Sequence, residues 1–99
     1  MAREFSVRQI YSATAAASSS AYSLDFRDDR GETERLVIAN VMHASDTITV
    51  EGSADNSVWH TLDTLGGATK DFALISGPWP WLRVTKAGTN DIATVLLVG

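Results

Sequence analysis

The chain is 99 residues long, 44% hydrophobic and free of cysteine, with a formal net charge of −4. That length specifies one domain, residues 1–99, and the composition is that of a globular chain rather than a disordered one. Disulfides, thiolate metal sites and a cysteine nucleophile are excluded, so stability rests on packing within the chain or against neighbouring subunits.

The first element expected is a strand from Phe5 to Tyr11, with Phe5, Val7 and Tyr11 on one face and Ser6, Arg8 and Ile10 on the other. Ser12 to Ala21 is rich in Ala, Ser and Thr. Its three consecutive alanines favour a helix, but the run offers no large apolar anchor, and Ser and Thr compete for backbone groups. An extended connection is expected, with residues 1–21 an arm or loosely ordered lead able to reach a neighbour. On that reading, deleting residues 1–20 leaves the rest folded. Tyr22, Leu24 and Phe26 alternate with Ser23, Asp25 and Arg27 in a second strand. The mixed-sign run from Arg27 to Glu32 reads as a solvated turn.

Thr33 to Val41 is a mostly apolar strand, and residues 42–46 connect it to a hairpin over Thr47–Leu65. There Ile48 and Val50 alternate with Thr47, Thr49 and Glu51, the period of a half-buried strand. Gly52 to Ser57 is a run of turn formers. Val58, His60 and Leu62 then alternate with Trp59, Thr61 and Asp63 in the return strand. Gly66-Gly67 breaks the chain, and Phe72, Leu74 and Ser76 alternate with Ala73 and Ile75. Pro78 and Pro80 exclude a central strand around Trp79. Trp81 to Thr85 resumes as a strand, Lys86 to Asp91 is a turn cluster, and Ile92 to Val98 closes the domain. Short strands with turn signals about every ten residues and no convincing helix specify an all-β fold. The architecture expected is a single compact β-sandwich or jelly-roll-like domain of seven to eight short antiparallel strands.

The same sequence narrows the chemistry. Its eight basic residues are scattered among acidic ones, so nucleic acid is not an expected partner. No run approaches the roughly 20 apolar residues of a membrane-spanning helix, and Met1 to Phe5 has no signal-peptide core. No membrane partner is expected, and synthesis in a cytoplasm is. His43 and His60 lack neighbours at metal-ligand spacing. No GxSxG elbow marks a nucleophile, and nothing singles out a pair of carboxylates. Ser53, Asp55 and Asn56 could offer oxygens to calcium, but their spacing is not that of an EF-hand loop and a polar turn is the expectation. No catalytic residue, metal or cofactor is expected.

The tryptophans carry the remaining interest. Trp59 is expected in or beside the core. Trp79, between two prolines, either packs over the sandwich edge or makes an intersubunit or ligand contact. Trp79, Pro80 and Trp81, with Phe5 and Tyr11 near the N-terminus, are the candidate interface or ligand-contact residues.

Two stretches carry a family resemblance. Ile48 to Leu62, with its Val50-Glu51-Gly52-Ser53-Ala54-Asp55 element and Trp59 on the return strand, is the first; Ile75 to Val84, with Gly77-Pro78-Trp79-Pro80-Trp81-Leu82-Arg83-Val84, is the second. Together they resemble small β-sandwich virion proteins of tailed bacteriophages, and Asp25 to Gly31 after the Ala/Ser-rich lead is similar too. The resemblance implies a non-enzymatic virion structural protein, of the capsid decoration or head accessory type. Such a protein is a homo-oligomer that binds the major capsid protein or other virion proteins and stabilises the shell; a tail or neck component is the near alternative. The turn pattern Ser53-x-Asp55-x-x-x-Trp59 also resembles discoidin-like carbohydrate-binding sandwiches, which are longer chains. That second resemblance implies a glycan partner held on exposed tryptophans. Neither family brings catalytic residues.

Overall fold

The computed structural model of the protein describes residues 7–19, 21–23, 35–67, 70–76 and 79–98. Phe5, the 24–34 segment with its expected strand end and charged turn, and Gly77-Pro78 lie outside the described residues.

Eight strands make up the described fold: β1 (Val7–Ala13), β2 (Tyr22–Ser23), β3 (Arg35–Val41), β4 (Thr47–Ser53), β5 (His60–Gly66), β6 (Phe72–Ile75), β7 (Trp81–Ala87) and β8 (Ala93–Val98). They form two four-stranded sheets, β1-β8-β3-β6 and β2-β7-β4-β5. The antiparallel pairs are nested, with β1 on β8, β2 on β7, β3 on β6 and β4 on β5. This is the winding of a jelly roll, in which a long hairpin is rolled so that its halves fall in two sheets.

Period-2 alternation aims one face of each sheet into a shared core. From the first sheet come Ile10, Val37, Ala39, Ile75, Val95 and Leu97; from the second come Ile48, Val50, Leu65, Leu82 and Val84. Val37, Ile48, Val50, Leu65, Leu82, Val84 and Val95 are fully excluded from water. At roughly 1.5–3 kcal/mol per fully buried aliphatic side chain, this layer is the main source of stability in a chain without cross-links.

Three sequence expectations change. First, a β-bulge between Gln9 and Tyr11 shifts the β1–β8 register. Ile10 and Tyr11 therefore both face inward while Val7 stays exposed, where strict alternation had put Val7 and Tyr11 together. The Tyr11 phenol donates to the Ala15 carbonyl at 2.8 Å. Second, residues 7–19 are built into the sandwich. β1 is one of the two edge strands of its sheet, and the chain beyond it runs along β7, where the Ser19 amide donates to the Val84 carbonyl and the Lys86 amide to the Ala17 carbonyl. Deleting residues 1–20 would remove a strand and two core side chains, not a dispensable arm. Third, Lys86 belongs to β7 rather than to the following turn, and it points inward.

Candidate interaction face

The two motifs that carry the family resemblance are spatial neighbours. β4 and β7 pair with Glu51 opposite Arg83 and Gly52 opposite Leu82. Arg83 Nε donates to Glu51 Oε1 at 3.0 Å, and the guanidinium lies 4.3 Å from the centre of the Trp59 ring. The Thr85 hydroxyl donates to the same Glu51 oxygen at 2.6 Å. Having spent its proton there, Thr85 accepts from the Ser18 hydroxyl at 2.8 Å. Burial pushes the Glu51 carboxyl upward, but the Arg83 and Thr85 bonds outweigh it and hold the group below its ordinary range. Trp59 is thus a lid over an ion pair on the outer surface of this sheet, not a core residue.

The Gly52-to-Ser57 loop is a turn with an internal organiser. Asp55 Oδ1 accepts from the Ser57 amide at 2.9 Å, the Val58 amide at 3.0 Å and the Ser53 hydroxyl at 3.1 Å. The two amides and that hydroxyl lower the Asp55 carboxyl from its usual range. Asn56 takes the left-handed conformation, φ 61°. The carboxylate is directed at its own loop, and among the described residues no group of three or more His, Asp or Glu side chains could hold a metal ion.

Trp79 and Pro80 are half-buried. The Trp79 ring covers the backbone of Gly52 and packs against the core, tilted against His60 with ring centres 5.9 Å apart. Trp81 is half-buried on the outer side of β7. The structure therefore brings Trp79 and His60 together and places Tyr11 in the core, while Trp79 and Trp81 are both half-buried.

Sequence reasoning missed the most buried polar site. The Lys86 and Asp46 side chains are 0% and 1% exposed, with Nζ 3.2 Å from Oδ2. Lys86 Nζ also donates to the carbonyls of Thr14 and Gly88, so its three protons are all used. Asp46 receives the Asn90 side-chain amide at 2.7 Å and the Asp91 backbone amide at 3.0 Å. Burial raises the Asp46 carboxyl, but these donors and Lys86 overcome it and bring the group down to about 2. Each of these partners is fixed, which makes the pair a structural clamp closing one end of the barrel-like space between the sheets.

The surface that stands out is the outer face of the first sheet. Cross-strand register places Val7, Val98, Leu36 and Leu74 in one continuous row. Two residues along, Gln9, Leu96, Ile38 and Phe72 form a second row. A third row, Ser12, Thr94 and Asn40, is polar. Val7, Phe72 and Leu74 are 62%, 60% and 63% exposed. β3 and β8 are therefore apolar on both faces, and β6 turns Phe72 and Leu74 outward and Ala73 and Ile75 inward. An antiparallel sheet with one solvated face ordinarily carries polar residues there. Leu36, Ile38, Leu96 and Val98, between these exposed edges, are half-buried; exposed apolar surface of this kind marks protein or membrane contacts and binding grooves.

No protein family, curated protein or solved structure matches the chain. Functional assignment therefore rests on this face and on the residue-level resemblance described above.

Proposed function

We propose that the protein is a non-enzymatic structural subunit that works by adhesion, in the setting the sequence resemblance suggests: a decoration or head accessory protein of a tailed bacteriophage. The carrying observation is the apolar outer face of β1-β8-β3-β6. Four strands spaced about 4.8 Å apart, crossed by two apolar rows about 6.8 Å apart, give that face a footprint of roughly 260 Å². Covering it yields about 6.5 kcal/mol at 25 cal/mol per Å². That lies toward the low end of the ~4–15 kcal/mol that association costs in lost freedom. The face thus drives assembly where copies are held close together, as on a shell, and leaves little surplus in dilute solution.

Two further features support a mechanical role. Both Arg83–Glu51 and Lys86–Asp46 tie β7 to the β4 region, so the second sheet is stiffened on its outer face and at one end of the core. The motif residues that carry the resemblance serve the turn, the Trp79 seat and that ion pair, which are duties of architecture.

Gradient co-sedimentation with purified phage heads tests the reading. Saturable binding of the purified chain at a fixed ratio to the shell protein is the expected result. A chain that stays at the top of the gradient at every concentration would remove the shell from the account.

A further inference from the structure

We infer that residues 7–19 form a strap that opens as one unit before the rest of the sandwich unfolds, and that the Tyr22 hydroxyl is its latch.

The strap closes one flank of the sandwich by touching both sheets. β1 lies at an edge of the first sheet and pairs with β8 alone. The chain then crosses to the second sheet, where Ser18 bridges Thr85 and the Ala17 and Ser19 backbones bond to β7.

Little of this segment is buried. Among residues 7–19 only Ile10 and Tyr11 are, whereas β3, β4, β7 and β8 each bury at least three residues. A segment with few buried contacts and one neighbouring strand opens at a lower cost than strands held on both sides.

What holds the strap to the second sheet is a set of hydrogen bonds. The bulge leaves Ile10 without a partner on β8. Its carbonyl is taken instead by the Tyr22 hydroxyl at 2.9 Å, from a strand of the other sheet. Further along, the Thr14 carbonyl accepts from Lys86 Nζ at 2.9 Å. Both donors stand on β2 and β7, which are paired with each other and do not need the strap for that pairing. The strap can therefore lift while its latches stay anchored. Opening bares the strap-facing edges of β8 and β7 together, the kind of unpaired edge on which another extended segment can pair.

Residue-resolved amide hydrogen exchange of the full chain, over a series of urea concentrations below the unfolding transition, tests the strap. Two amides of β7 report on it: Lys86, which donates to the Ala17 carbonyl, and Val84, which donates to the Ser19 hydroxyl. Thr85, between them, turns its amide toward β4. The protected β1 amides, Ser19, Lys86 and Val84 should share one opening equilibrium and exchange faster than Thr85. Their exchange should also depend less steeply on urea, because opening the strap exposes less surface than global unfolding does. Tyr22→Phe leaves the Ile10 carbonyl without its donor and should speed exchange of the strap set by about 5- to 30-fold, the factor for losing one buried hydrogen bond. A single urea slope shared by all these amides and Thr85 would overturn the strap. Ser19 and Lys86 exchanging apart from the β1 amides would overturn the single unit, and a strap set unchanged in Tyr22→Phe would overturn the latch.

Discussion

Trp79 sits where the side chain of residue 52 would otherwise be. A Cβ on Gly52 would stand 2.7 Å from Trp79 Cδ2 and 2.9 Å from Leu62 Cδ1, so glycine at this β4 position is what lets the indole lie on the backbone. The two sequence motifs are therefore one packing unit, with the glycine of the first providing the seat for the aromatic of the second.

Gly52→Ala should cost about 1–3 kcal/mol, the usual penalty for overpacking a filled site. Urea unfolding followed by tryptophan fluorescence measures it. Adding Trp79→Phe, which shrinks the ring, should recover part of the loss, so the two changes should be clearly non-additive. Additive losses would mean that the contact is incidental.

The Asp46–Lys86 clamp predicts an order of stabilities. Asp46→Ala alone leaves an ammonium buried with two carbonyls and no counter-charge, and should lower the melting temperature more than the Asp46→Ala/Lys86→Met double variant does. Gly88, at φ 95°, belongs to the same unit, because a Cβ there would overlap Asp46 Oδ1. Gly88→Ala should therefore cost more than about 1 kcal/mol, through both the overlap and the left-handed backbone. Thermal melts of the four proteins decide the order.

Acid should weaken the fold in a defined window. Asp46, Glu51, Asp55 and Asp63 all have folded-state carboxyls held below their ordinary range, Asp46 at about 2. A carboxylate that is a stronger acid in the folded state contributes stability fully above its unfolded pKa, near 4. That contribution is lost as pH falls from there toward the folded value. Melting temperature should be level from pH 7 to about 5, then fall between about pH 4 and 2. Glu51→Gln should be less stable at pH 7 and lose less on acidification. A melting temperature that rises on acidification would contradict the assignment.

Much of this architecture can be read from residue order alone, and the exceptions have physical causes. The Thr47–Leu65 hairpin is legible because alternation stops at a dense run of turn formers. The all-β class follows from repeated turns and the lack of a helical period. Strand order is not legible, since β1 meets β8 across most of the chain and nothing local encodes that pairing. One extra residue in β1 reverses the phase of every side chain after it, which hides the burial of Tyr11. The apolar outer face is hidden for another reason: where both faces of β3 and β8 are apolar, alternation no longer distinguishes inside from outside. Lys86 continues the inward phase of Leu82 and Val84, but a lysine is rarely buried without a fixed partner. Its partner, Asp46, lies 40 residues away.

The central claim is that this sandwich is a structural subunit of a phage shell. The most direct test is quantitative mass spectrometry of purified particles made by the genome that encodes the chain, with its copies counted against the major shell protein. The account predicts a copy number close to that of the shell protein, or a simple fraction of it. A count of only a few copies per particle would point to a neck or tail ring, and complete absence from the particles would contradict the claim.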